Sequence, residues 1–248
     1  MIGILDSGVG GLSIYREIKK KFPETAVIYF ADEGNFPYGE KTETELLDIV
    51  RAAAKTLIES GAKIIVLACN SATVATVSEI RKEFCVPIIG VEPAVKMAAA
   101  NSKNGKIGVM ATKITTKEHD GERLASNCEL LPVHNSDLVS KIENDINSVT
   151  DDELKVAIKP FLDFGADSVV LGCTHYYFVV ERLVKMYPDI TFYAPAEAVA
   201  AHFTYVAHAQ GIELTYGNDV FFCSAEATRF KKSLYDLLEI EDADIREI

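Results

Sequence analysis

Two cysteines are marked by what precedes them. Gly61-Ala62-Lys63-Ile64-Ile65-Val66-Leu67-Ala68-Cys69-Asn70 returns 104 residues later as Gly165-Ala166-Asp167-Ser168-Val169-Val170-Leu171-Gly172-Cys173-Thr174. Each copy runs from a glycine through an apolar stretch to a cysteine, which reads as a buried parallel strand ending in a thiol. Ligands of open α/β sheets bind outside the carboxyl ends of the strands, so both thiols fall where chemistry is expected. Facing each other across a cleft, one thiolate can take a proton from a carbon while the other thiol returns one to the opposite face. Helices beginning after Asn70 and after Thr174 are expected to aim amides at the sulfurs and lower each thiol from about 8.5. The bland alternative is two core cysteines, since free Cys is among the most buried residue types. The polar residue after each, Asn70 or Thr174, favours chemistry. Cys85, Cys128 and Cys223 lack that setting and read as structural.

A second candidate is Asp6-Ser7-Gly8-Val9-Gly10-Gly11, directly after the first apolar run. Such glycines let backbone amides approach an anion at a helix N-terminus. The dinucleotide fingerprint fails, because its last glycine falls on Ser13, and no GK[ST] follows. Asp32 can still play the ribose-binding acid of a nucleotide site. Phe36-Pro37-Tyr38-Gly39 reads as a rigid turn presenting an amide and a phenol to a small ligand. His175, two residues after Cys173, suits thiol tuning better than zinc, since the usual ligand spacing is lacking. Ser7, Tyr38, Asn70, Ser71, Thr115 and Thr174 are candidate hydrogen-bond donors to an anionic ligand.

The elements that must position these groups are legible in the rest of the chain. Its 248 residues are 48% hydrophobic and 25% charged, enough for one large α/β domain or two smaller ones. The net charge of −12 argues against a nucleic-acid partner and against a polybasic membrane surface. No signal segment or membrane-length apolar run is visible, and five cysteines without a CxxC pair suit a reduced, cytoplasmic setting. Strands are expected at Ile2–Asp6, Ala26–Ala31, Ile64–Ala68, Pro87–Val91, Lys106–Met110, Leu130–Val133, Ser168–Gly172 and Thr191–Tyr193. Helices are expected at Thr42–Ser60, Ala72–Phe84, Asp151–Phe164 and Val179–Tyr187, with Gly61 and Gly165 at left-handed C-caps. Ile2-Gly3-Ile4-Leu5-Asp6-Ser7 also returns, 105 residues on, as Ile107-Gly108-Val109-Met110-Ala111-Thr112. Two repeats at nearly one offset imply two pseudo-symmetric, doubly wound parallel-sheet α/β domains with an active-site cleft between them. The expected limits are 1–93 plus 196–248 for the first domain and 94–195 for the second. The acidic run Glu239–Asp244 reads as a solvated chain end.

With these motifs on view, the chain resembles the glutamate racemases of the cofactor-independent aspartate/glutamate racemase superfamily. The likeness rests on DSGVGG (Asp6–Gly11), PYG (Pro37–Gly39), ACNSAT (Ala68–Thr73), VEPA (Val91–Ala94) and GCTHY (Gly172–Tyr176). It implies interconversion of L- and D-glutamate without pyridoxal phosphate or metal, D-glutamate for peptidoglycan synthesis, and a homodimer. By motif, Cys69 and Cys173 become the catalytic acid/bases. Asp6 stands beside the first and His175 beside the second, and Glu143 is a further carboxylate near the site. Asp6 and Ser7, Tyr38 and Gly39, Asn70 and Ser71, Thr174 and His175 bind substrate.

The chain also departs from that family. Ser71 stands where Thr is usual, and Tyr177 where Pro is usual. Glu33-Gly34-Asn35 replaces small residues and often an Arg, Thr116–Gly121 lacks the usual Ser and Tyr, and Cys223–Glu226 replaces a Ser-Gly-Asp pattern. Two other functions stay open: an aspartate or broad-specificity racemase, since one methylene discriminates by only about 1–3 kcal/mol, and a binding protein that holds an anion or nucleotide in the same cleft without turnover.

Overall fold

Five consecutive buried residues, Ile2–Asp6, form strand β1, which lies at the middle of a sheet because both its faces are apolar. The computed structural model describes residues 1–92, 94–116 and 128–248. β1 pairs in parallel with β2 (Val27–Ala31) on one side and β3 (Ile64–Leu67) on the other, Ile2 lying opposite both Val27 and Ile64. β4 (Ile88–Gly90) adds to β3. In the second sheet β5 (Lys106–Ala111) takes the central place between β6 (Glu129–Val133) and β7 (Ser168–Gly172), and β8 (Thr191–Tyr193) adds to β7. The orders β2-β1-β3-β4 and β6-β5-β7-β8 are the same arrangement, and all pairings are parallel. The fold is thus two parallel-sheet α/β domains, as the repeats imply.

The helices follow local rules. α1 (Leu12–Lys21) opens after the glycine-rich loop, and α3 (Asn70–Glu83) opens at Cys69. α2 (Glu43–Glu59) and α6 (Asp151–Phe164) each start with a capping box, Thr42 with Glu45 and Thr150 with Glu153. Gly61 (φ 102°) and Gly165 (φ 77°) then turn the chain in the left-handed region into β3 and β7. So the repeat covers cap, helix, turn, strand and cysteine. α4 (Val95–Asn101), α5 (Ser136–Asn144), α7 (Val180–Met186), α8 (Ala196–Ala209) and α9 (Ala227–Leu238) complete the layers.

Three elements differ from the expectations. Thr174–Val179 is a 3-10 helix, and α-helix begins only at Val180, so Cys173 does not sit at an α-helix N-terminus as Cys69 does. Val220–Cys223 is strand β9, and it pairs with β2 on the far side of the first sheet. The acidic run stays irregular and mostly exposed over Glu239–Ala243, as expected, but its last residue opens a strand: Asp244–Glu247, β10, pairs in parallel with β9. An edge strand meets one neighbour only, so its charged side chains stay in water while its backbone is paired. The strands of the first sheet therefore come from residues 2–90 and 220–247, and those of the second from 106–193. Pro93 of the VEPA motif and the 116–121 stretch from residue 117 onward lie outside the described residues. No helix among the described residues is long and apolar enough to cross a membrane.

Candidate active site

β1 and β3 are hydrogen-bonded neighbours, so they deliver Asp6 and Cys69 to the same end of the first sheet. β7 delivers Cys173 in the second sheet. Both thiols line one cavity of about 610 Å³, Cys69 being 7% exposed and Cys173 8%. Ser7, Tyr38, Gly39, Asn70, Ser71, Thr174 and His175 share its walls.

On the first-domain side, Asp6 is fully buried behind the cavity surface. Its Oδ2 accepts the amides of Gly11 (3.0 Å) and Gly8 (3.3 Å), and Oδ1 finds no partner among the described residues. Burial raises its pKa to about 6, against the opposing pull of His175 and the Gly11 amide. Cys69 is likewise pushed well above the usual thiol range, first by burial and then by the Asp6 carboxylate. The Ser71 and Ala72 amides at the start of α3 act the other way and lose. The expected lowering of this thiol is therefore reversed: helix amides are present, but desolvation outweighs them.

On the second-domain side the partners form a chain. His175 Nδ1 lies 3.6 Å from Cys173 Sγ, and its Nε2 lies 2.6 Å from Glu143 Oε2. Glu143 comes from α5, has no exposed surface and accepts the Val9 amide at 3.0 Å. Burial alone would lower the imidazole, but its bonds to Cys173 and Glu143 hold it well above its ordinary value. The ring of Phe36 packs 5.8 Å from that of His175.

These contacts change the meaning of the glycine-rich loop. Its amides meet two protein carboxylates, Asp6 at Gly8 and Gly11, and Glu143 at Val9, rather than a bound phosphate. A Cβ on Gly8 would overlap the Glu143 carboxylate, and one on Gly10 would overlap His175 and Thr174. The glycines thus let the second domain's relay press against the first domain. Asp32 is equally occupied. It accepts Tyr38 Oη (2.6 Å), Asn35 Nδ2 (3.0 Å) and Ser224 Oγ (2.8 Å), which leaves it unfit as a ribose acceptor. It follows that the Tyr38 phenol is not presented to a ligand. A buried hydroxyl must donate somewhere, and here it turns away while the side chain forms a wall.

Asn70 donates through Nδ2 to Val91 O at 3.1 Å, while its Oδ1 has no partner among the described residues. Ser71 Oγ meets Thr112 Oγ1 at 2.9 Å across the domains, and Thr112 meets Thr115 Oγ1 at 3.0 Å. Thr115 is fully buried behind that wall, and Thr112 is the hydroxyl that lines it. Thr112 was detectable, because it occupies the place of Ser7 in the repeat. Lys41 and Lys113 also line the cavity. Nothing local in their sequence marks them, yet they balance Glu40 and Glu43 on the same wall of a chain carrying −12. Of the remaining cysteines, Cys223 is buried, Cys128 half-buried and Cys85 exposed, so Cys85 fills no core.

The pattern of the Asp/Glu/hydantoin racemase family matches residues 2–203. The glutamate racemase of Stutzerimonas stutzeri is 36% identical over 243 residues, 94% of this chain and 92% of its own. That of Pseudomonas paraeruginosa is 40% identical over 207 residues, 80% and 78% of the two chains. The crystal structure of Escherichia coli glutamate racemase in complex with L-glutamate and the activator UDP-MurNAc-ala is similar at a TM-score of 0.88. Its identity is 30%, covering 99% of this chain and 96% of that one. Two cysteine-ended strands from duplicated α/β domains, converging on one cavity, agree with these likenesses, and the chain belongs to the Asp/Glu/hydantoin racemase family.

Proposed function

We propose that this protein interconverts L- and D-glutamate, with Cys69 and Cys173 as paired acid/base groups. The observation that carries the reading is the placement of two buried thiols, one from each domain, on the same cavity. In each direction one thiolate takes the α-proton and the opposing thiol protonates the carbanion from the other face, so the roles exchange with the direction. His175, oriented by Glu143, serves the proton of Cys173. Asp6 does the corresponding work beside Cys69.

Holding the substrate falls to groups of unequal kind. Asn70, whose side chain belongs to the cavity lining, is the group assigned to the α-ammonium. The Ser71 and Thr112 hydroxyls, with Thr115 behind them, and the Ser7 and Thr174 side chains are donors suited to carboxylates. Lys41 and Lys113 offset Glu40 and Glu43 on the cavity wall, so the lining does not add to the repulsion that the net negative glutamate meets from a −12 chain. A largely apolar site strengthens these contacts where charge builds up on the α-carboxylate. The moving bodies are proposed as 1–93 with 196–248 and 94–195, supported by the membership of the two sheets. A cytoplasmic homodimer that feeds peptidoglycan synthesis is the setting implied by the family.

Incubation with L-glutamate in D2O, without added cofactor, tests the reading. Loss of the α-proton signal with decay of optical activity is the expected result, with L-aspartate run beside it. Exchange of aspartate alone would reassign the substrate, and no exchange with either would overturn the racemase reading.

A further inference from the structure

Two of the departures from the family pattern lie 190 residues apart in the chain and meet in space. Ser224, just past β9, donates through Oγ to Asp32 Oδ1 at 2.8 Å and accepts the Gly34 amide at 2.8 Å. Asp32 in turn holds the Tyr38 hydroxyl at 2.6 Å, and Tyr38 is a cavity wall. The pairing of β9 with β2 and the bond from Ser224 N–H to Ala31 O (3.1 Å) already seat this segment by backbone alone. The hydroxyl is therefore spare as far as the sheet is concerned, and its partners belong to the site loop.

Five residues on, α9 carries Arg229. Its Nη2 pairs with Glu33 Oε2 of the first domain, and its Nη1 donates to Asn144 Oδ1 of the second at 2.8 Å. Glu33 has a fully buried side chain, and Asn144 follows Glu143 at the end of α5. One guanidinium thus ties the loop after β2 to the helix that carries the relay carboxylate. Neither Ser224 nor Arg229 lines the cavity, and both lie beyond residue 203, where the family pattern ends.

We propose that the Ser224–Arg229 segment is a positioning element for both halves of the site, Ser224 setting Tyr38 through Asp32 and Arg229 setting Glu143 through Asn144. The two residues act on different steps. Tyr38 shapes the substrate's seat, whereas Glu143 orients the imidazole that serves proton transfer. For its kinetic readout the proposal rests on the glutamate reading.

The test compares Ser224→Ala with Arg229→Gln, using Ser224→Thr and Arg229→Lys as conservative partners. Ser224→Ala should raise KM for glutamate about 3–10-fold with kcat nearly unchanged, the scale of one lost hydrogen bond. Arg229→Gln should lower kcat about tenfold or more with a smaller change in KM. The conservative variants should recover part of each loss. Amide exchange should quicken at residues 33–40 in the first variant and at 136–145 in the second, an observation independent of substrate. Unchanged kinetics and exchange would overturn the proposal. So would parallel changes of KM and kcat in both variants together with a fall in thermal midpoint, the mark of a role in stability alone. If the wild type fails to turn over glutamate while the exchange pattern appears, the substrate reading fails and the positioning element stands.

Discussion

Cys69 faces a buried carboxylate with one unpaired oxygen, and Cys173 faces an imidazole backed by a second carboxylate. The strand orders around the two thiols are the same, and each thiol follows the third strand of its domain. Matched through the repeat, Asp6 corresponds to Ala111, Ser7 to Thr112, Asn70 to Thr174 and Ser71 to His175. Duplication thus supplies two sulfurs at mirror-related places, while the groups that handle their protons have diverged. On one side burial, reinforced by the carboxylate next to the sulfur, pushes the thiol well above its usual range. On the other a cation beside the sulfur can lend or hold a proton. A two-base site needs matched reach to the α-carbon, and the comparison shows that matched electrostatics is a separate matter.

The largest expected effect tests the shared part. Cys69→Ala and Cys173→Ala should each lower racemisation by at least about 10³-fold, within the range for loss of a positioned acid/base. Normal turnover by either variant, measured by polarimetry, would end the two-base assignment. The next tests the divergent part. His175→Ala should cost about 10²-fold in kcat. Glu143→Gln should cost less and move the alkaline limb of the kcat/KM profile to lower pH, because the imidazole then loses the carboxylate that holds its proton. A limb that stays in place would detach His175 from the relay.

A third prediction concerns stability. Asp6 moves from 3.8 to about 6 on folding. A carboxyl raised on folding contributes stability at acid pH and loses it as pH rises through the folded value, here over about pH 4–6. Asp6→Asn should therefore be more stable than wild type near about pH 7.5, by up to about 3 kcal/mol, and the gap should close near about pH 4. Urea unfolding at both pH values reads this directly, and a gap of the opposite sign would show that the Asp6 amide contacts outweigh its desolvation. His175 carries the same sign over a higher window, since its folded value is raised and its stabilisation fades as pH climbs above about 6.5. The smallest effect belongs to the wall hydroxyl. Thr112→Val should raise KM for glutamate about 3–10-fold with kcat retained, as expected for one uniform binding contact.

Much of this was readable from local patterns. The eight expected strands appear within a residue or two of their places, because a buried parallel strand writes itself as an unbroken apolar run. Capping boxes at Thr42 and Thr150 and left-handed glycines at 61 and 165 punctuate the helices by rules that act over four residues. Even Thr112 was implicit in the repeat. β9 was legible as Val220-Phe221-Phe222-Cys223, a run as apolar as β3. β10 was not, for Asp244-Ile245-Arg246-Glu247 carries no pattern beyond charge and becomes a strand only because β9 offers an unpaired edge.

What the chain determined by itself is the scaffold and the two thiols at its strand ends, since hydrophobic period, caps and turns are properties of neighbouring residues. Partnership was decided elsewhere. The bond between His175 and Glu143 joins residues 32 apart, that between Val9 and Glu143 residues 134 apart, and that between Ser224 and Asp32 residues 192 apart. A polar side chain carries no local signal of which distant group will satisfy it. Tyr38 could have offered its hydroxyl to a ligand, and the glycine-rich loop could have held a phosphate. Packing buries these groups, and the cost of leaving a buried donor unpaired selects Asp32 for the one and two protein carboxylates for the other.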